Sequence, residues 1–243
     1  MIDVLRASTT IVTALAHGAA GVRPVLTIDE ARALAASGGP GSDMLLGGER
    51  GGRRIDGFDL GNSPLEYAPA RVAGRRIVIT TTNGTAALNA CTSAAEVLIG
   101  GIVNRSAVAA RARSLAMVHG TANIHLVCAG TDGHVTEEDL LAAGGILDAA
   151  SRLPGAERDS LDAAATAALD TFRSVVSAAA RAEAATAIAA AFATSRGGRN
   201  LIDLGMQADL PTAAAIDSLT VVPRLVRDDS HAGWLLPDAC DLA

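Results

Sequence analysis

Short apolar or β-branched runs alternate along this chain with longer stretches whose apolar positions recur at helical spacing. Val22–Ile28, Leu45–Leu46, Ile77–Thr80, Val97–Ile99, Ile124–Cys128 and Leu219–Val226 read as strands. Thr9–Ala19, Asp29–Ala36, Ala86–Cys91, Ser106–Met117, Glu137–Ala150 and Ser160–Ala193 read as helices, the last so long that a break near Ser174–Ala178 is expected. Such alternation predicts an α/β fold with a mainly parallel sheet, or a mixed one, covered on both faces. No repeat and no linker rich in Pro, Gly or Ser divides the 243 residues, so they read as one domain, with Ser37–Asp43 as an exposed loop.

One stretch resists the pattern. Ile77–Leu88, IVITTTNGTAAL, carries Asn83-Gly84, a strong hairpin signal, but Thr85-Ala86-Ala87-Leu88 then favours a helix. A strand passing through threonines and Asn-Gly into a helix start offers hydroxyls, an amide and free N–H groups to an anion. Thr82 or Asn83 acting simply as a helix cap is the plainer alternative.

Composition narrows the chemistry. Aromatics make up only 2%, which leaves no stacking surface for nucleic acid, and the net charge of -6 speaks against a broad nucleic-acid or anionic-membrane footprint. All 20 basic residues are arginine. The absence of lysine excludes a Walker-type phosphate loop and Schiff-base catalysis, but not an arginine pocket for a small anion. Cys91, Cys128 and Cys240 have neither disulfide nor zinc spacing. His17, His119, His125 and His231 show no metal spacing. The alanine-rich tract from Ala163 to Ala193 is broken by Asp170, Arg173, Arg181 and Glu183, so it predicts close helix packing rather than a membrane span. With no signal peptide visible, the expected location is the cytoplasm.

Four polar clusters fall at the ends of apolar runs, where a parallel sheet presents ligand sites. The first is Thr80–Gly84. The second is Gly47-Gly48-Glu49-Arg50-Gly51-Gly52 with Gly57-Phe58-Asp59-Leu60-Gly61-Asn62-Ser63-Pro64. Glu49 and Asp59, carboxylates in glycine-bounded loops, suit a hard cation such as Mg²⁺. In the third, Ile2–Thr10, Asp3 ends an apolar strand as a third candidate cation ligand and Arg6 offers a planar fork to an oxyanion; the plainer alternative is an Asp–Arg pair with Ser8 or Thr9 capping the next helix. The fourth, Val127–Asp139, holds Cys128 and the acids Glu137, Glu138 and Asp139, with Thr136 and Asp139 resembling a capping box. His134 stands where a cysteine phosphatase would need arginine, which disfavours Cys128 as nucleophile.

The segments IDVLRASTTIVTALAHGA, LLGGERGGRRIDGFDLGNSPLEY, IVITTTNGTAAL, VLIGGIVNRSAVA, LVCAGTDGHVTEEDLLAAG and LIDLGMQADLPTAAAIDSLTVVPRL together resemble the 2-phosphosulfolactate phosphatase family, in family order and over nearly the whole chain. The resemblance implies a three-layer α/β/α sandwich and Mg²⁺-dependent hydrolysis of 2-phosphosulfolactate to sulfolactate and phosphate, as in coenzyme M biosynthesis. It implies catalytic roles for Asp3, Arg6, Glu49 and Asp59. The metal set would be Asp3, Glu49 and Asp59, with Glu138 or Asp139. The anionic groups of the substrate would fall to Arg6, Arg50, Asn62, Ser63, Thr81, Thr82, Asn83, Gly84 and Cys128. Family members usually carry a segment before the IDVLR strand, so the resemblance also implies either a start set too late or a missing first part of the sheet. Water is the expected nucleophile, since Asp3-Val4-Leu5-Arg6 lacks the second aspartate of the best-known aspartyl phosphatases. A non-catalytic anion-binding relative and a phosphatase for another small acidic phosphoester are the alternatives. A homodimer through the alanine-rich helix face is a further expectation, with no nucleic-acid or membrane partner.

Overall fold

The computed structural model describes residues 1–39, 43–91, 93–120, 123–177, 183–227 and 233–238. Within them a six-stranded sheet runs in the order β3-β2-β4-β1-β6-β5. Its strands are β1 (Gly21–Pro24), β2 (Met44–Arg50), β3 (Arg53–Arg54), β4 (Arg76–Thr80), β5 (Pro223–Arg227) and β6 (Gly233–Pro237). β4 pairs in parallel with β1 and β2, whereas β3 joins β2 and the β6–β5 pair joins β1 antiparallel, so the sheet is mixed around a parallel centre.

Alternation along β4 shows why these residues form a two-faced strand. Ile77 and Ile79 enter one apolar cluster with Ile11, Val12 and Leu15 of α1 (Ala7–Ala16). Val78 points the other way, into a cluster with Val25, Phe58 and Ala31 of α2 (Ile28–Ser37). Helices therefore cover both faces, giving the three layers of an α/β/α sandwich. Nine consecutive residues of α1, Ala7 to Leu15, are buried, which explains its lack of a charged face.

Further helices are α3 (Pro69–Val72), α4 (Gly84–Ala90), α5 (Arg105–His119), α6 (Glu137–Ala150), α7 (Ala163–Ser177), α8 (Ala184–Thr194), α9 (Arg196–Asp203) and α10 (Asp209–Ala213). α6 to α10 share the largest apolar cluster, centred on Phe172, Ile188 and Phe192, with Ile2 and Val4 inserted into it. None of the described helices is long and apolar enough to cross a membrane.

Several expected elements differ in the structure. The long helix expected over Ser160–Ala193 is two, α7 ending at Ser177 and α8 starting at Ala184. The runs Ile124–Cys128 and Val97–Ile99 shrink to single bridges, Ile2 to Cys128 and Leu98 to Arg224. β2 is longer than Leu45–Leu46 and carries Gly47, Gly48 and Glu49, glycines that disguise a strand. At Gly48, φ is +144° and a Cβ would overlap the Thr80 carbonyl on β4, so only glycine brings these backbones together. β6, α9 and α10 extend the expected set. Residues 40–42 of the expected loop, Ala178 and Arg181 between α7 and α8, and His231 and Cys240 lie outside the described residues.

Candidate active site

Past the carboxyl ends of β2 and β4 lies an open cleft of about 370 Å³. Asp3, Leu5 and Arg6 form its base, Glu49, Gly51 and Gly52 one side, and Asn62, Thr82 and Asn83 flank them. Thr131 and Asp132 close one lip, and Gly197, Asn200 and Asp203 of α9 with Leu204 just past its end form the facing wall.

Hydroxyls of the RASTT motif knot the base into place. Ser8 Oγ accepts the Asp3 N–H at 2.8 Å, Thr9 Oγ1 donates to the Val4 carbonyl at 2.8 Å, and Thr10 Oγ1 donates to the Asn62 carbonyl at 2.7 Å. Ser8 and Thr9 are thus tied to the preceding loop rather than capping α1. The Asp3 carboxylate is buried and accepts the Ala7 N–H at 3.3 Å. Burial, and then the nearby charge of Asp139, push its pKa up to about 8; Glu49 and Glu138 act in the same direction. Asp139 is pushed up to about 6 by burial, against the pull of the Val4 and Gly130 N–H groups it accepts at 2.8 and 2.9 Å. Those two bonds place Asp139 behind Asp3, stitching the first residues to the Ala129–Gly130 turn, so the expected capping box with Thr136 does not form.

The threonine loop cradles an anion that belongs to the protein itself. Glu49 Oε1 accepts the Thr82 N–H at 2.7 Å, and Oε2 accepts the Gly52 N–H at 2.8 Å and the Thr82 hydroxyl at 3.2 Å. Thr81 turns inward, its hydroxyl accepting the Thr85 N–H at 3.2 Å, while Asn83 Oδ1 accepts the Asp132 N–H at 3.3 Å. The Asn-Gly step therefore opens α4. The paired hydrogen bonds of a two-residue hairpin occur instead around Asp132-Gly133, between Thr131 and His134.

Gly84 lets α4 approach this base. A Cβ there would stand 2.5 Å from Asp3 Oδ2 and 2.7 Å from the Ala7 Cβ. Gly84→Ala is expected to displace Asp3 and lower kcat/KM about 10- to 100-fold with the fold retained, as steady-state kinetics beside circular dichroism would show. An unchanged rate would mean that Asp3 needs no fixed position.

Arg6 is buried and held at three points: Nη1 donates to Asp209 Oδ2 at 2.9 Å and to Met206 Sδ at 2.8 Å, and Nη2 to the Gly52 carbonyl at 2.8 Å. Ser63 donates to the other Asp209 oxygen at 2.6 Å. Sequence reasoning missed Asp209, Asn200 and Asp203. Their helices α9 and α10 hide behind Gly197-Gly198 and Pro211, although Ser195 does cap α9 by accepting the Gly198 N–H at 3.1 Å.

Other expected residues fall elsewhere. Asp59 is exposed and accepts the Leu46 N–H at 2.8 Å. Leu46 lies three residues before Glu49 on β2, about 10 Å along the strand, and Asp59 does not line the cleft. A shared ion between Glu49 and Asp59 therefore has no geometric support. Arg50 is turned away, donating to the Glu49 and Leu26 carbonyls and to Thr80 Oγ1. Cys128 packs half-buried against the large apolar cluster and outside the cleft lining; burial and the Asp139 charge push its thiol up to about 12, which keeps it protonated. Glu138 is buried behind the wall, Oε1 accepting the Gly197 N–H at 3.1 Å and Oε2 lacking a partner among the described residues.

Three groups bear on a cation. Asn62 Oδ1, buried in the cleft lining, has no hydrogen-bond partner among the described residues, nor has Glu138 Oε2. Burial, and then the charges of Asp139, Glu49 and Glu138, raise the pKa of Asp3, a shift that a cation beside it would reverse. Among the described residues, no three Asp, Glu, His or Cys side chains form a ready-made metal cage. A hard ion held by one or two carboxylates and waters would not need such a cage, and Glu49 keeps a lone pair beyond its three hydrogen bonds.

Comparison with known proteins decides the family: residues 1–228 match the family described as 2-phosphosulpholactate phosphatase. The chain belongs to that family. A relative from Deinococcus radiodurans is 40% identical over 237 residues, spanning 97% of this chain and 90% of its own. Relatives from Gloeobacter violaceus and Symbiobacterium thermophilum are 39% and 40% identical over 223 and 224 residues, 92% of this chain and 86% and 88% of theirs. All three are named probable 2-phosphosulfolactate phosphatase. In this phosphatase family member the matched region takes in the whole cleft, from Asp3 to Leu204.

Proposed function

We propose that this chain is a Mg²⁺-dependent phosphatase that hydrolyses 2-phosphosulfolactate to sulfolactate and phosphate. The observation that carries this reading is the pairing, in one cleft, of a buried acid with a raised pKa, Asp3, and a buried arginine, Arg6. Family membership and the relatives' names supply the substrate.

Asp3 and Glu49 would hold Mg²⁺, with Asn62 Oδ1 available as a neutral oxygen donor. When bound, the ion supplies charge neutralisation on the phosphoryl oxygens. Acids predominate in the cleft lining, with Asp3, Glu49, Asp132 and Asp203 against Arg6, so a polyanionic ester would be repelled without such an ion. Arg6 has five N–H donors, three of them committed, which leaves two for equatorial oxygens of the phosphoryl group. Glu49, gripped from Thr82 and Gly52, is oriented before substrate arrives, so little reorganisation accompanies the reaction. Asp139 fixes the Val4 backbone and so the carboxylate beside it.

The test is release of inorganic phosphate from 2-phosphosulfolactate, followed with magnesium and again after chelation. Turnover that chelation abolishes and magnesium restores is expected. Tight calorimetric binding of sulfolactate or phosphate with no turnover would show an anion-binding relative instead. Equal turnover in chelator would remove the ion from the reading.

A further inference from the structure

We propose that Asp209 is a positioning residue that, with Ser63, holds Arg6 in the orientation needed to bind a phosphoryl anion. The inference rests on the phosphatase reading for its ligand class, an inorganic or esterified phosphate. Asp209 is buried and lies outside the cleft lining, so any effect on the anion must pass through Arg6.

The geometry assigns each Arg6 donor. Asp209 Oδ2 at 2.9 Å and Met206 Sδ at 2.8 Å take the two N–H groups of Nη1, and the Gly52 carbonyl at 2.8 Å takes one of Nη2. Nε–H and the second Nη2 N–H have no acceptor among the described residues. They remain for a ligand in the cleft that Arg6 lines. Two N–H groups held in one fixed plane suit the oxygens of a phosphate. Asp209 is fixed in turn, since the Ser63 hydroxyl donates to Oδ1 at 2.6 Å.

Charge explains why such a tether matters here. Arg6 shares its cleft with Asp3 and Glu49, carboxylates that would otherwise draw the guanidinium onto themselves. A dedicated counterion behind Arg6 keeps it off those acids. It leaves them open for a cation and Arg6 open for an anion. Burial of the pair does not by itself argue for stability, because buried ion pairs often contribute little compared with apolar packing.

A double-mutant cycle on the full chain separates positioning from a merely structural role. Inorganic phosphate binding would be measured by calorimetry, in magnesium buffer, for the parent, Asp209→Asn, Arg6→Lys and the double variant. Each single change is expected to weaken phosphate at least tenfold, with the double variant no weaker than Arg6→Lys alone. Multiplying losses, or parent-like binding by Asp209→Asn, would overturn the inference. Should Asp209→Asn fail to fold, Ser63→Ala takes its place in the cycle; a threefold or larger loss that vanishes in the Arg6→Lys background supports the tether, and no loss overturns it. A parent that binds phosphate and shows this coupling, yet leaves 2-phosphosulfolactate intact, sinks the proposed activity and not the positioning role. A parent that binds no phosphate overturns both.

Discussion

Asp3→Asn is expected to cut turnover a hundredfold or more while making the metal-free protein more stable. The loss follows from removing a charged oxygen donor at the centre of the cleft; even carboxylates that only orient metal ligands cost about 10- to 100-fold when removed. The gain follows from linkage. Asp3 titrates near 3.8 in an unfolded chain and is pushed up to about 8 in the folded one, by burial first and by Asp139 next. Between those values the folded protein holds a proton that the unfolded chain has released. Stability is therefore full below pH 3.8, falls as pH rises through the window and levels off above 8, a loss on the order of a few kcal/mol. Asparagine keeps an acceptor for the Ala7 N–H and never ionises, so this slope should vanish. What remains belongs to the other shifted groups, Asp139 in the same direction up to near pH 6 and the buried Met1 ammonium, held below its usual value, in the opposite direction. Thermal denaturation in chelator at pH 5 and pH 8, parent against variant, checks the claim. Magnesium should stabilise the parent more at pH 8, because binding must displace the Asp3 proton at pH 5. A parent whose melting temperature is flat across that range would refute the linkage.

The layers of the fold were legible because β-branched runs and helical periodicity speak through local patterns. Ile77 to Thr80 and Glu137 to Ala150 show this well, the first alternating between two apolar clusters and the second matching α6 end to end. β2 was only half legible. Gly47 and Gly48 lower strand propensity, yet Gly48 is there because β4 passes too closely for any side chain. α9 escaped notice for a similar reason, Gly197 lying against the Glu138 carboxylate and Gly198 against the Phe192 carbonyl, where neither leaves room for a Cβ. At the site, Asp3, Arg6 and Glu49 were legible as charges at strand ends. Their partners were not, since Asp209 lies 203 positions from Arg6 and no local pattern links them. The threonine loop was read as a cradle for a ligand anion; in the structure Thr82 grips the Glu49 carboxylate.

Glu49→Gln and Asp59→Asn should separate sharply, although both remove one acid from the same glycine-rich region. Glu49 lines the cleft and accepts three hydrogen bonds, two from Thr82 and one from the Gly52 N–H. A glutamine amide has one oxygen, so either the Thr82 or the Gly52 donor must face an NH₂ group and be repelled. The substitution thus removes a charge beside the phosphoryl group and loosens two loops together. Losing one preorganised electrostatic contact costs about 10²- to 10³-fold in rate, and Glu49→Gln is expected in that range, with weakened magnesium activation. Asp59 does something local: its exposed carboxylate accepts the Leu46 N–H, a bond that asparagine can keep. Asp59→Asn should therefore hold kcat/KM within about threefold and cost no more than about 1 kcal/mol of stability. The two variants would be compared by phosphate release across a magnesium titration. If Asp59→Asn proved as damaging as Glu49→Gln, the cation would have to sit on the Leu46 side of β2, and the cleft between Asp3 and α9 would lose its claim to the chemistry.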